Sequence, residues 1–261
     1  MENYLKVFKQ AIVEHLNTIQ DTELKQATEY ALFPGGKRLR PLLMLLTLSD
    51  LGHDFRKGLY PALALEMIHT YSLIHDDLPA LDNDDYRRGK PSLHKAFGEA
   101  LAILVADALL TDAFQYFVKT PIPAESKVSL IELAAFACGS SGMVFGQVLD
   151  IKNAGFDLRT LDMINRHKTA DLFKVAFVGA GIIAGIDKLK ELEELALNFG
   201  LAFQIKDDLD DFGTEAKLSY PHLFGKDESS KKLQVYKEKS LKLTGRILGE
   251  NEVYQLIERI L

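Results

Sequence analysis

Two runs of carboxylates combine residue type and spacing in a way that could do chemistry. The first is Ile74-His75-Asp76-Asp77-Leu78-Pro79-Ala80-Leu81-Asp82-Asn83-Asp84-Asp85, and the second is Gln204-Ile205-Lys206-Asp207-Asp208-Leu209-Asp210-Asp211. Each closes a long apolar segment of helical period, where the negative end of the helix dipole makes anions unfavourable. Asp207 and Asp211 are four apart, share a face and repel by a few tenths of a kcal/mol. Pro79 disfavours helical geometry at Leu78, so Asp82 is presented from a less regular stretch. One such run reads equally well as a solvated helix end, but two with near-identical spacing call for a cation. Oxygen ligands without a nearby cysteine or paired histidine select a hard ion, magnesium or manganese before zinc. A calcium loop does not fit, because neither run has its glycine and terminal glutamate in register. Magnesium takes one or two carboxylates, keeps water and completes its shell with phosphate oxygens. The pattern therefore predicts two carboxylate walls with a diphosphate between them.

An anion site needs donors, and three basic groups supply candidates. Gly35-Gly36-Lys37-Arg38-Leu39-Arg40-Pro41 puts three cations at the start of a helix, where they oppose the dipole unless an anion joins them. Taken alone it also reads as an exposed basic turn. Tyr86-Arg87-Arg88-Gly89-Lys90-Pro91 follows the first acidic run, and arginine forks suit phosphate oxygens. Plain salt bridges from Arg87 or Arg88 to Asp84 or Asp85 would explain it equally well. Arg166-His167-Lys168-Thr169 is the third group, and its simplest reading is a solvated helix face. His69 lies on the helical face of Ser72 and Asp76, whereas His75 and His94 read as structural. No P-loop ending in Gly-Lys-Ser/Thr and no nucleophile elbow occurs, which leaves ATP-driven phosphoryl transfer without support.

The elements that must position these groups are helices. Ala62–Asp77, Leu101–Val118 and Glu191–Asp211 carry apolar residues at three- and four-residue spacing, the second apolar nearly all round. Breaks fall at Phe33-Pro34-Gly35-Gly36, Leu78-Pro79, Gly89-Lys90-Pro91, Pro121-Ile122-Pro123 and Tyr220-Pro221. No low-complexity linker separates them, and strand alternation bounded by Asn-Gly or Asp-Gly turns is absent. The expectation is a single all-α domain over 1–261, of about ten helices. A net charge of −6 argues against nonspecific nucleic-acid binding. The single cysteine, Cys138, excludes an internal disulfide and fits a reducing, cytoplasmic setting. No basic start followed by an apolar run marks a signal peptide, and no uninterrupted run of 18 apolar residues occurs, so no membrane span is expected.

In order along the chain, six landmarks resemble the trans-prenyltransferase (polyprenyl synthetase) family, nearest its bacterial farnesyl diphosphate synthase group. They are residues 35–41, 68–82, 87–91 (Arg-Arg-Gly-Lys-Pro), 146–150 (Gly-Gln-Val-Leu-Asp), 167–170 (His-Lys-Thr-Ala) and 203–211. The resemblance implies an all-α, isoprenoid-synthase-type helical bundle around a deep central cavity, as a homodimer. It implies Asp76, Asp77 and Asp82 as the first aspartate-rich motif and Asp207, Asp208 and Asp211 as the second. In the family these hold three magnesium ions on an allylic diphosphate, dimethylallyl or geranyl. Arg87, Lys168 and Lys217 are implied to bind that same group. Lys37, Arg40, His69 and Arg88 match positions that bind isopentenyl diphosphate, while Thr169 and Gln204 face the reacting carbons. Tyr71 lies five residues before Asp76, about 7.5 Å along a helix. With Ser72 beside it, the ring would floor the tail pocket and stop growth at fifteen carbons, giving farnesyl diphosphate.

The match departs after Asp211, where the family has a longer loop with an additional lysine. Here Phe212-Gly213-Thr214-Glu215-Ala216 runs straight into Lys217-Leu218-Ser219-Tyr220-Pro221, and only the later lysine has a counterpart. Three other readings share features with this one. A twenty-carbon geranylgeranyl diphosphate synthase would differ at the pocket floor. A terpene cyclase would not need Lys37, Arg40 and Arg88 for a second diphosphate. A noncatalytic regulatory subunit would be expected to lose aspartates that are all present here.

Overall fold

Regular structure is almost entirely helical. The computed structural model describes residues 1–33, 36–152, 157–213 and 219–261, and these divide into two compact units. One comprises Met1–Leu45 with Phe55–Lys127, the other Leu46–Asp54 with Val128–Leu261. The divisions at 45/46 and 127/128 fall inside helices, which is why no linker composition announces them.

In the first unit run α1 (Glu2–Leu16), α2 (Thr22–Leu32), the first part of α3 (Leu39–Asp50), α4 (Leu59–Asp76), α5 (Leu93–Phe97) and α6 (Glu99–Lys119). The Asp21 carboxylate starts α2 by accepting from the Leu24 N–H at 2.8 Å, a cap worth about 1 kcal/mol. Pro61 through Ile68 of α4 are all buried. A helix apolar on every side must be surrounded, and α4 packs along α6 and against α1 and α2. Between α4 and α5 the chain makes one small antiparallel ladder, Tyr86–Arg87 with Lys90–Pro91. Its two turn residues, Arg88 (φ 53°) and Gly89 (φ 76°), both adopt the left-handed conformation that a type I′ turn requires.

The second unit contains α7 (Ala124–Cys138, from Val128 onward), α8 (Met143–Ile151), α9 (Leu158–Ile164), a π-helical turn (Asn165–Ala170), α10 (Asp171–Ala184), α11 (Leu189–Asp210), α12 (Tyr220–Leu248) and α13 (Glu252–Ile260). Gly225 (φ 78°, ψ 165°) breaks α12 after its first turn, and Pro221 sits in that turn, where its missing N–H has no intrahelical role. Phe173, Phe177 and Phe199 lock α10 to α11, with edge-on ring contacts of 4.8 and 5.8 Å. The Asp50 carboxylate accepts from the Val253 N–H at 2.9 Å and the Glu252 N–H at 3.3 Å, satisfying the start of α13.

Two stretches, Glu99–Lys119 and Ala124–Ile151, are long and apolar enough to cross a membrane by length and composition, each with a mean hydropathy of 1.6. Of their apolar windows, 39% and 33% of residues are buried within the protein. Among their exposed apolar side chains are Leu104 and Val118 on α6, Val128 and Phe136 on α7, and Ile151 on α8.

Candidate active site

The first carboxylate run begins where α4 ends. Asp76 is its last helical residue and Asp77 its C-cap. Beyond Pro79 the chain turns back, and the Asp82 N–H donates to the Asp76 carbonyl at 2.8 Å, fixing the backbone of the third aspartate beside the first. Asn83 follows with φ 54°. Asp77 points inward and is only 3% exposed. Arg87 on the small ladder donates to it from Nε, at 2.9 and 3.3 Å to the two carboxylate oxygens, and also from Nη2. The same Nη2 reaches Asp84 at 3.0 Å, and Lys95 pairs with Asp85 at 2.7 Å. Burial pushes the Asp77 carboxyl upward in pKa, and the Arg87 hydrogen bond and charge hold it back.

Four arginines of this unit, Arg38, Arg40, Arg87 and Arg88, act on His69. Arg40 Nη1 lies 3.4 Å from His69 Nε2. Burial, then the charges of Arg40, Arg88, Arg38 and Arg87, drive this imidazole well below its usual pKa. A guanidinium only donates, so neutral His69 accepts through Nε2 and carries its proton on Nδ1. The buried Glu66 carboxylate answers the cations by pairing with Arg38, which also donates to the Leu32 carbonyl. Arg38 holds a left-handed backbone (φ 45°), and the Arg88 guanidinium lies against Gly36, where an added Cβ would meet it at 2.8 Å. Lys37 is exposed. Tyr71 is buried, its ring 5.8 Å edge-on from that of His75, and Ser72 Oγ donates to the His69 carbonyl.

The second run closes α11, with Asp211 as C-cap. Asp208 occupies the role that Asp77 has in the first. Its carboxylate accepts from Gln204 Nε2 at 2.9 Å and from the Tyr220 N–H at 3.1 Å, and burial raises its pKa against those bonds. Gln204 Oε1 in turn accepts from Thr169 Oγ1 at 2.9 Å, so Thr169, Gln204 and Asp208 form one oriented chain. Lys168 Nζ donates to Asp150 Oδ2 of α8 at 2.7 Å. These side chains line a cavity of about 210 Å³ together with Asn165, Asp207, Asp211 and His222. Lys217 lies outside the described residues.

The stretch around Lys168 is a π turn rather than a regular helical face. Arg166 stays exposed, His167 pairs with Asp171 at 2.9 Å, and Lys168 and Thr169 turn to the cavity. Glycines on both sides permit this. A Cβ at Gly146 would meet the Lys168 backbone nitrogen at 2.5 Å, and one at Gly200 would meet Ala170 Cβ at 2.5 Å. Sequence reasoning assigned no role to Asp150, Asn165, Tyr220 or the Arg38–Glu66 pair. Only Asp150 carried a signal, as the end of the Gly-Gln-Val-Leu-Asp landmark. Tyr220 is fully buried, and its hydroxyl donates to Asp162, tying the start of α12 to α9 while its N–H serves Asp208.

The polyprenyl synthetase family model matches residues 21–243, most of the chain and all of the groups just described. The chain belongs to the polyprenyl synthetase family. A farnesyl diphosphate synthase of Micrococcus luteus is 50% identical over 211 residues, 79% of this chain and 72% of that protein. Another from Geobacillus stearothermophilus is 46% identical over 245 residues, covering 89% and 82%. The crystal structure of an FPP/GFPP synthase from Zymomonas mobilis superposes with a TM-score of 0.90 at 34% identity, over 99% of this chain and 95% of that one. This polyprenyl synthetase therefore has the all-α isoprenoid-synthase fold.

The donor set fits magnesium. Asp76, Asp82 and Asp207 keep partial exposure and Asp211 is exposed, all offering oxygen. Oxygen donors of this kind suit an ion which takes one or two carboxylates and completes its shell with water and phosphate oxygens.

Proposed function

We propose that this polyprenyl synthetase condenses isopentenyl diphosphate with dimethylallyl and then geranyl diphosphate, releasing diphosphate and giving farnesyl diphosphate, with magnesium held by Asp76, Asp82, Asp207 and Asp211. The observation that carries the reading is the matched treatment of the two aspartate motifs. In each, the second aspartate is hydrogen-bonded to a side-chain donor of its own unit, Arg87 or Gln204, and the last aspartate keeps at least partial exposure. The names of the relatives at 46% and 50% identity support the same activity.

Magnesium, when bound, supplies Lewis-acid stabilisation of the charge that develops on the leaving diphosphate. Arg87, pinned by Asp77, and Lys168, pinned by Asp150, are oriented donors for that diphosphate and need little reorganisation as charge develops. The allylic C–O bond breaks with its electron pair leaving on the diphosphate, and a delocalised carbocation remains. The isopentenyl alkene attacks that cation to form the new C–C bond, and the adjacent C–H proton passes to the departing diphosphate. Thr169 and Gln204 present oxygen to the reacting carbons from a fixed chain ending on Asp208. Lys37, Arg40 and Arg88 hold the diphosphate of isopentenyl diphosphate, with neutral His69 among them. Tyr71 and Ser72 set the fifteen-carbon limit. The exposed apolar side chains of α6 and α7 serve a homodimer contact, and the enzyme works in the cytoplasm.

Product analysis tests this. Purified protein with isopentenyl diphosphate, geranyl diphosphate and magnesium should give a fifteen-carbon prenyl diphosphate, and a chelator should abolish it. A twenty-carbon product would keep the chemistry and discard the Tyr71 floor. Absence of turnover by folded protein would favour a noncatalytic subunit.

A further inference from the structure

Among the described residues lining the second unit's cavity, Asn165 takes no part in the chemistry assigned above. Asn165 opens the π turn, three residues before Lys168, and is only 5% exposed. It lines the cavity with Lys168, Thr169, Gln204, Asp207 and Asp208. Its Nδ2 finds no hydrogen-bond partner among the described residues. A buried N–H donor left unsatisfied loses its hydration without replacement, so such a group calls for an acceptor supplied from elsewhere. Two carboxylates of the same cavity lining hydrogen-bond to other groups, Asp150 to Lys168 and Asp208 to Gln204 and the Tyr220 N–H. An apolar tail offers no acceptor, whereas a phosphate oxygen does.

We propose that the Asn165 carboxamide is a further substrate-binding group, donating through Nδ2 to a phosphate oxygen of the allylic diphosphate beside Lys168. The inference rests on the prenyl-transfer reading of this site and adds a contact to it. Lys168 brings charge, and Asn165 brings a neutral, directional donor on the same π turn. That donor fixes which face of the phosphate group turns toward Thr169 and Gln204. Both side chains come from this one turn and line the same cavity.

The test separates binding from turnover. Asn165→Leu removes the donor at nearly constant shape, and Asn165→Asp replaces it with a charge that repels phosphate. Inorganic diphosphate with magnesium is titrated calorimetrically into the wild type and both variants, and thermal unfolding is followed without ligand. We expect Asn165→Leu to weaken diphosphate binding roughly tenfold, as befits loss of a hydrogen bond to a charged group. Asn165→Asp should weaken it further. Because the donor has no partner among the described residues, Asn165→Leu should unfold within a few degrees of wild type. In turnover, KM for geranyl diphosphate should rise while KM for isopentenyl diphosphate stays put. Unchanged diphosphate affinity in Asn165→Leu overturns the proposal, as does an equal rise in both KM values. Should Asn165→Leu not fold, Asn165→Asp binding diphosphate as tightly as wild type is equally decisive against it. Wild type that binds diphosphate but makes no prenyl product would instead count against the proposed reaction.

Discussion

Arg87 meets Asp77 through a shared edge, its Nε 2.9 Å from one carboxylate oxygen and 3.3 Å from the other. The second residue of the first motif is thus spent on orienting a guanidinium, and Asp208 is spent likewise on Gln204. Replacing Asp77 by Asn keeps the shape and halves the grip. Arg87 would then lose its fixed direction, and kcat/KM for the allylic substrate should fall by roughly 10- to 100-fold, about 1.4 kcal/mol per factor of ten. Steady-state kinetics checks this. Because the motif's outer aspartates remain, the magnesium dependence of the variant should stay near that of wild type, whereas Asp76→Ala should need far more magnesium.

The Thr169–Gln204–Asp208 chain gives a second expectation. Gln204→Leu removes both of its bonds and frees Thr169 to rotate. Its effect should fall on kcat, by roughly 100-fold, with little change in KM for isopentenyl diphosphate, because the group acts on developing charge rather than on ground-state binding. A matching rise in that KM would show a binding role instead.

How much of this was visible in the residues alone differs by element. The two carboxylate runs and the long apolar helices were legible, because helical period and like-charge crowding are local properties. The turn at Arg88-Gly89 was not, since the sequence read only a break there. The Asn-Gly or Asp-Gly pair that advertises a type I′ turn is absent, and Arg88 accepts a left-handed backbone that arginine rarely adopts. On its residues alone the run Arg166-His167-Lys168-Thr169 read most simply as a solvated helix face, and only the family resemblance singled out Lys168. Its π turn depends on Gly146 and Gly200, which lie 22 and 32 positions from Lys168 in either direction, and no local rule links them. The Arg38–Glu66 pair joins residues 28 apart and was equally silent.

Shortening the side chain at position 71 should lengthen the product. Tyr71 is buried on α4 five residues ahead of Asp76. Tyr71→Ala opens the floor, and chromatography of the dephosphorylated products should show twenty-carbon chains beside or in place of fifteen-carbon ones. An unchanged profile removes Tyr71 from that role.

Acid should destabilise the fold before it protonates most carboxylates. Burial holds the imidazoles of His15 and His69 below the ordinary histidine value of 6.5 in the folded chain. Under that value the unfolded chain takes up protons that the native state refuses, so stability rises with pH across this window and is lost as pH falls through it. The raised carboxyls of Asp77 and Asp208 act with the opposite sign, nearer pH 4, where the folded state keeps the extra protons. The unfolding midpoint at pH 5.5 should lie several degrees below that at pH 7.5. His15 pairs with the Tyr116 hydroxyl at 3.0 Å, and burial pushes that hydroxyl's pKa up to about 12. His15→Asn should therefore narrow the difference.

Gly146 and Gly200 close on the π turn from two sides, each leaving less room than a methyl group needs. Redesign of this enzyme is channelled by that fit. Randomised libraries should return glycine at both positions almost without exception among active clones, while positions along α4 near Tyr71 tolerate change and alter chain length. New products are thus reached by editing the wall that measures the tail, and the segment carrying Lys168 and Thr169 passes unaltered from one variant to the next.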